Sequence, residues 1–331
     1  MRPVDDVLKD AEAEIKALES KIATTHPTMA LLRQAFVPAS RSYFSLAALT
    51  RRANLEEHHR KKGLSQLFKM RSLLETKLIE SFLASSNLLP LMSEATKDAF
   101  FGKSKKQGVS IRYALASCVP TARCGGLCYA HDGRDRELLH IYRGALNYFL
   151  GLQYENANAT HRAEILRMLS KSIDHGVEAA IDDQGDAASA GYNRMPRIRF
   201  SHVGEMAATP NFTNDVAREV KKRDQNVQCV VYTRHPKAAL LNLDLFVVNF
   251  TLEGTADVRS KHIPKGARVV NSSWDGLVNE NAEVNFLEHH VEKSFASKGD
   301  GSICPVTANH KNTPSCDSAC CQKCFVPARH R

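Results

Sequence analysis

Hydrophobic spacing changes along the chain. Up to about residue 100, apolar residues recur every three or four positions. Beyond about residue 195, short apolar runs alternate with short helical patterns. Between Asp5 and Ile22, Val7, Leu8, Ala11, Ile15, Leu18 and Ile22 repeat at a helical interval with charged residues in the gaps. This predicts a helix with one buried and one solvated face. His26-Pro27 ends it, because the residue before a proline disfavours the helical region. A second helix is predicted from about Ser40, carrying Tyr43, Phe44, Leu46, Ala47 and Leu49. A third is predicted from about Leu64 to Leu83, with Leu67, Phe68, Met70, Leu73, Leu74, Leu78, Ile79 and Phe82 as its core positions.

The polar stretch Phe101–Gly108 breaks this pattern and sets a boundary between a helical region, 1–100, and a cysteine-rich α/β domain, 101–331. Val109–Leu115 follows as an extended segment. Helices are expected at Arg134–Leu152 and Ala159–Ala180, and Asp182–Tyr192, rich in Asp, Gly and Ala, reads as a loop. Strands are expected at Arg197–Ser201, Gln228–Thr233, Leu245–Phe250 and Arg268–Ser272. Helical patterns at about Asn214–Arg223 and Pro236–Leu243 separate the first three. Strand and helix alternating at this spacing predict parallel strands with crossover helices. Ser201-His202, Thr233-Arg234, Asn249–Thr251 and Asn271-Ser272 then fall at strand C-termini, where such folds collect ligand-binding groups. Cys229, inside an apolar strand, reads as packing.

Composition narrows the class. The chain has 331 residues, 43% hydrophobic and 24% charged, as in a soluble globular protein. Its net charge of +9 and pI near 9.1 suggest a polyanionic partner. The basic stretches Arg51-Arg52, His58-His59-Arg60-Lys61-Lys62 and Lys103, Lys105, Lys106 read first as solvated faces. Their alternative role is contact with nucleic-acid phosphates through the N-terminal helices. No run of eighteen apolar residues is present, which predicts no membrane span. The Met-Arg-Pro-Val-Asp-Asp start lacks the apolar core of a secretory signal, so a cytoplasmic location is expected. In a reducing compartment, clustered cysteines are metal ligands more often than disulfides. Oligomeric state is not legible.

Nine cysteines are present, and all but Cys229 fall in two groups. Cys118, Cys124 and Cys128 lie on one loop with Gly125 and Gly126, and His131 follows. Glycines let such a loop aim several sulfurs at one point, as a soft metal or an iron–sulfur cluster requires. Cys304, Cys316, Cys320 and Cys324 form a second group, with Cys321 as the spare, since adjacent thiols rarely share a metal. Three thiolates leave a coordination position for a reactant, whereas four form a closed structural site. The alternative is one shared site. There is no phosphate-loop motif, no dinucleotide glycine motif, and no His-Glu-x-x-His zinc motif; Glu288-His289-His290 does not supply one.

Four pieces occur in order: Cys118, Cys124 and Cys128-Tyr129-Ala130; Phe200-Ser201-His202-Val203-Gly204-Glu205; Val231-Tyr232-Thr233-Arg234; and Cys304-Pro305 with Cys316, Cys320 and Cys324-Phe325. Over roughly residues 109–326 this layout resembles the gene product 88 family of phage and mobile-element proteins. It is more distantly similar to radical S-adenosylmethionine (SAM) proteins, which place a cysteine triad before a partial α/β barrel and a Gly-Glu pair near bound SAM. The cysteine spacing departs from the usual radical SAM triad: Cys124 and Cys128 have its first interval, the next position is His131, and the third thiol, Cys118, lies upstream.

The resemblance implies a partial or distorted parallel α/β barrel, to which the hydrophobic spacing of residues 1–100 adds an all-helical N-terminal extension. It implies an iron–sulfur-dependent, radical-SAM-like enzyme, and the basic charge adds nucleic acid or nucleotides as the substrate class. Glu205 and His202 are then the catalytic candidates, and Gly204, Glu205, Thr233 and Asn249 the cofactor-binding ones. Cofactors are an iron–sulfur cluster or Zn2+, with SAM. The competing reading is a nucleic-acid-binding protein stapled by zinc and without catalysis.

Overall fold

The computed structural model describes residues 57–84, 100–104, 108–121, 124, 128, 130, 138–189, 195–253, 261–273, 282 and 284–287, with residue 13. The helices expected at Asp5–Ile22 and from Ser40 lie outside the described residues, as do the side chains of His58–Lys62 and all of the second cysteine group. Packing divides the chain into two units. Among the described residues, the first contains helix α1 (Glu57–Leu83), the cysteine segment from residue 112 to 130, helix α2 (Leu138–Asn156) up to Gln153, and residues 203–205.

Aromatic rings fill the first unit. Phe82 of α1 meets Tyr142 and Phe149 of α2 edge-on, with centroids 5.7 and 5.6 Å apart. Gly144 lets α2 pass close to the cysteine segment: a Cβ there would stand 2.8 Å from the Tyr113 carbonyl oxygen. One turn on, Asn147 Nδ2 donates to the Arg112 carbonyl at 2.9 Å.

The second unit is a seven-stranded sheet in the order β1–β7, with helices. β1 (Phe101–Ser104) and β2 (Gly108–Ile111) form an antiparallel hairpin. Then β3 (Arg197–Phe200), β4 (Gln228–Thr233), β5 (Phe246–Leu252), β6 (Arg268–Ser273) and β7 (Val284–Leu287) continue from β2 with every pairing parallel. The fold is therefore α/β with a mostly parallel sheet, as the alternating pattern predicts. Helices α3 (Ala159–Ser189) and α4 (Pro210–Arg223) complete the unit. Proline opens α4 where its missing N–H costs nothing, and Lys221, Lys222 and Arg223 close it against the helix dipole.

Side chains alternate between the two faces of the sheet. Register puts Val109, Ile111, Ile198, Phe200, Cys229, Val231, Phe246, Val248 and Phe250 on one face. That face is apolar, and Phe200 and Phe246 meet on it edge-on at 5.0 Å. Phe101, paired with Ile111, shares the face and lies against Gly176, so α3 packs here. The opposite face carries Arg197, Arg199, Tyr232, Asn249, Thr251, Arg268 and Ser272.

The structure departs from the sequence reading in several places. Phe101–Gly108, expected as a polar break, supplies β1 at Phe101–Ser104 and the first residue of β2. Phe101 is held by Phe100 and Gly176, while Lys103 faces Asp183 and Asp186 of α3, so a polar edge strand is tied down from one side. α3 does not end near Ala180 but continues to Ser189, because Ala187 is buried and outweighs the helix penalty of Gly185. α1 begins at Glu57 and α4 at Pro210, both earlier than the periodicity suggests. β7 has no counterpart among the strands expected from the sequence. Among the described residues, no helix is long and apolar enough to cross a membrane.

Candidate functional site

The cysteine loop is anchored by a charged pair inside the apolar stripe of α1. Phe68, Leu74, Leu78 and Phe82 are buried, and Arg71 and Glu75 are buried between them with side chains 0% exposed. Arg71 Nε donates to Glu75 Oε1 at 2.9 Å. Arg71 Nη1 donates to the Ala130 carbonyl at 2.7 Å, and the Ala116 amide donates to Glu75 Oε2 at 3.0 Å. One ion pair thus grips the chain just before Cys118 and just after Cys128. Burial raises the Glu75 carboxyl above its usual range, opposed by Arg71 and by the amides of Ala116 and Leu115.

The thiols follow from this anchoring. A single 3-10 turn, Leu115–Ser117, delivers Cys118, whose amide donates to the Leu115 carbonyl at 2.9 Å. The Cys124 amide donates to Thr121 Oγ1 at 3.0 Å. Cys118, Cys124 and Cys128 are reduced and half-buried. Cys118 and Cys128 pack against a small core of Phe68, Leu115, Ala130 and Val203. Burial pushes the Cys118 thiol well up, and negative charge on Glu205, Cys128, Cys124 and Glu75 pushes it further. The same thiolate raises the Tyr148 phenol, whose shift comes first from burial. Sequence reading had no signal for Tyr148 or for the Arg71–Glu75 pair beyond charged residues standing in an apolar helical stripe.

Glu205 belongs to this site. It is buried, and its amide donates to Ser117 Oγ at 2.7 Å, while Ser117 Oγ donates to the Ala114 carbonyl at 2.6 Å. Gly204 makes the approach feasible. Its φ is +76°, and a Cβ would lie 2.4 Å from the Ala114 carbonyl oxygen and 2.7 Å from Tyr113. Only glycine fits that position. Upstream, Ser201 is a non-glycine residue at φ +75°, held by its Oγ accepting from the Met206 amide at 2.6 Å. Strain of this kind clusters at functional turns.

The other predicted residues separate. His202 is buried at the end of β3, with its amide donating to the Ile111 carbonyl at 2.8 Å. Thr233 pairs in register with Phe250, so it and Asn249 stand on opposite faces of the sheet. The Thr233 hydroxyl accepts from the His235 amide at 3.0 Å. His235 is itself a cap: Nδ1 accepts from the Lys237 amide at 3.1 Å, and burial with Lys237 nearby lowers its pKa to about 4. Cys229 is buried in β4 with its thiol pushed up to about 12, a packing residue. Cys304, Cys316, Cys320 and Cys324 lie outside the described residues.

The donor set at Cys118 is that of a soft metal or iron–sulfur site. Among the described residues, no three His, Cys, Asp or Glu side chains already converge into a metal-ready group. The residues joining the thiols, 122–123 and 125–127, lie outside the described set. The chain matches no family model, no curated protein and no solved structure.

Proposed function

We propose that this protein is an iron–sulfur-dependent enzyme of radical SAM type, with Cys118, Cys124 and Cys128 holding the cluster and Glu205 beside the bound cofactor. The charge balance around Cys118 carries this reading. Burial first, and then negative charge on Glu205, Cys128, Cys124 and Glu75, raises the Cys118 pKa. Among the described residues, Arg71 reaches the loop, and it is bonded to Glu75. Ionising these thiols together creates a local negative surplus, and a metal centre relieves it. A cluster bound by three thiolates supplies electrons and one iron open to a ligand.

This chain's own residues then have distinct tasks. The Arg71–Glu75 pair holds both ends of the loop, Gly204 places Glu205, and Ser117 fixes the Glu205 backbone. His202, at the end of β3, is the second catalytic candidate. A partial parallel barrel is the fold we favour, supported by strands that run in sequence order from β2 to β7. Nucleic acid or nucleotide, in a phage or mobile-element setting, remains the proposed substrate class, supported by the charge of +9.

The test is SAM binding to anaerobically reconstituted protein. Wild type should bind SAM with a change in its electron paramagnetic resonance signal, and Glu205→Gln should lose that binding with its melting temperature unchanged. A colourless, zinc-loaded protein that ignores SAM would establish the zinc-stapled reading instead.

A further inference from the structure

Helix α2 carries a polar group that the packing of its unit does not use. Three contacts press α2 onto the segment that leads to Cys118. A Cβ at Gly144 would meet the Tyr113 carbonyl oxygen at 2.8 Å and the Ala114 amide nitrogen at 3.4 Å. Asn147 Nδ2 donates to the Arg112 carbonyl at 2.9 Å. The Tyr148 ring lies against that of Tyr113, with centroids 5.6 Å apart and planes tilted by 43°. Gly144 and Tyr148 are one helical turn apart, so they share a face of α2. From Ala114 the chain reaches Cys118 through the single turn Leu115–Ser117. The face that carries Tyr148 is thus held to the backbone just before the thiol.

Packing uses the Tyr148 ring and leaves its hydroxyl aside. The residue is half-buried, and the hydroxyl makes no hydrogen bond to any described residue. Tyr154, further along α2, differs: its hydroxyl donates to Asp215 Oδ2 at 2.5 Å. A phenylalanine would pack as well as Tyr148 does, as Phe82 and Phe149 show in the same unit. What the hydroxyl does face is the cysteine site. Burial first, and then charge on Cys118, raises the Tyr148 phenol. The phenol is therefore within electrostatic reach of that sulfur.

We propose that Tyr148 is a positioning residue of the metal centre held by Cys118, Cys124 and Cys128, its hydroxyl donating a hydrogen bond to that centre and tuning its reduction potential. This rests on the metal-site reading above, although not on which metal is held. Hydrogen bonds to ligating sulfurs set the potential of such centres, because a donor favours the reduced, more negative state. Glu205 and Glu75 add negative charge around Cys118, which opposes reduction. A neutral donor beside that thiolate counters them. A phenol keeps its proton at neutral pH and remains a donor.

The test compares the full wild-type chain with Tyr148→Phe, which keeps the ring. Metal-free Tyr148→Phe should melt where wild type does; an earlier melt would give the hydroxyl a structural role and overturn the proposal. After reconstitution with iron and sulfide, Tyr148→Phe should have the more negative midpoint potential, by about 59 mV, the equivalent of a tenfold change in a one-electron equilibrium. Tyr232→Phe, in the second unit, should leave the potential as it is. Co2+ added to the metal-free chain is the second probe. Its sulfur-to-cobalt band is read as the difference from Cys124→Ser, so that the second cysteine group cancels. In Tyr148→Phe that band should move to longer wavelength. A chain that binds Co2+ but builds no cluster would refute the iron–sulfur reading, and the cobalt band would then decide the role of Tyr148. A potential and a band that do not move, or that move as far in Tyr232→Phe, would overturn the proposal. So would the absence of either metal at these thiols.

Discussion

The sheet and the cysteine segment are held by different forces. In the sheet, seven strands and α3 and α4 bury Val, Ile and Phe side chains over a broad area, and no single contact is decisive. The cysteine segment has a small core of Phe68, Leu115, Ala130 and Val203, and a few specific polar bonds define its path. Distributed apolar burial tolerates the loss of one methyl group. A structure set by buried polar bonds fails when one partner is removed, because the other is left unsatisfied.

Breaking the Arg71–Glu75 pair should therefore have the largest effect. Glu75→Gln leaves the Arg71 charge buried without its counterion, and should cost about 3–5 kcal/mol in urea unfolding of the first unit. The double variant Arg71→Met/Glu75→Leu should recover much of that loss, because both buried charges are then gone. A double variant as unstable as the sum of the singles would show that the pair does not act as a unit.

Gly204→Ala tests the same contrast at the backbone. With φ at +76° and a carbonyl oxygen 2.4 Å from the new Cβ, it should cost about 2–3 kcal/mol and displace Glu205. An alanine substitution in the exposed, uncrowded position Gly185 of α3 should instead stabilise, by about 1 kcal/mol. Equal effects at the two positions would remove the structural basis assigned to Gly204.

A further effect belongs to the sheet unit and is read by pH. His235 has a folded pKa of about 4 against an ordinary 6.5, so the unfolded chain binds the extra proton between those values. Stability should fall as pH drops from about 6.5 towards 4, by on the order of 1–2 kcal/mol, and be fully present above 6.5. His235→Asn keeps a capping acceptor for the Lys237 amide and should flatten that slope. An unchanged slope would assign it to other groups.

The same contrast decided what could be read from the chain. β4 was legible residue for residue as Gln228–Thr233, and β3 nearly so, because Val, Ile, Tyr and Phe in short runs report burial directly. β1 was not, since Lys103 looks like part of a linker until α3 supplies its partners. The thiols of Cys118, Cys124 and Cys128 were visible from spacing. The Arg71–Glu75 grip was hidden because oppositely charged residues four apart on a helix usually decorate its surface. The Gly204-Glu205 pair was visible as letters, whereas its cause, a left-handed residue pressed on Ala114, needed the third dimension.

The central claim is that Cys118, Cys124 and Cys128 form one iron–sulfur site, and metal counting after anaerobic reconstitution with iron and sulfide tests it most directly. Wild type should be brown and contain iron and acid-labile sulfide. Cys124→Ser should lose the iron of that site and its visible absorbance while remaining folded, and Cys324→Ser should leave that absorbance in place. Reconstituted wild type without iron, or a single metal site lost equally in both variants, would contradict the account.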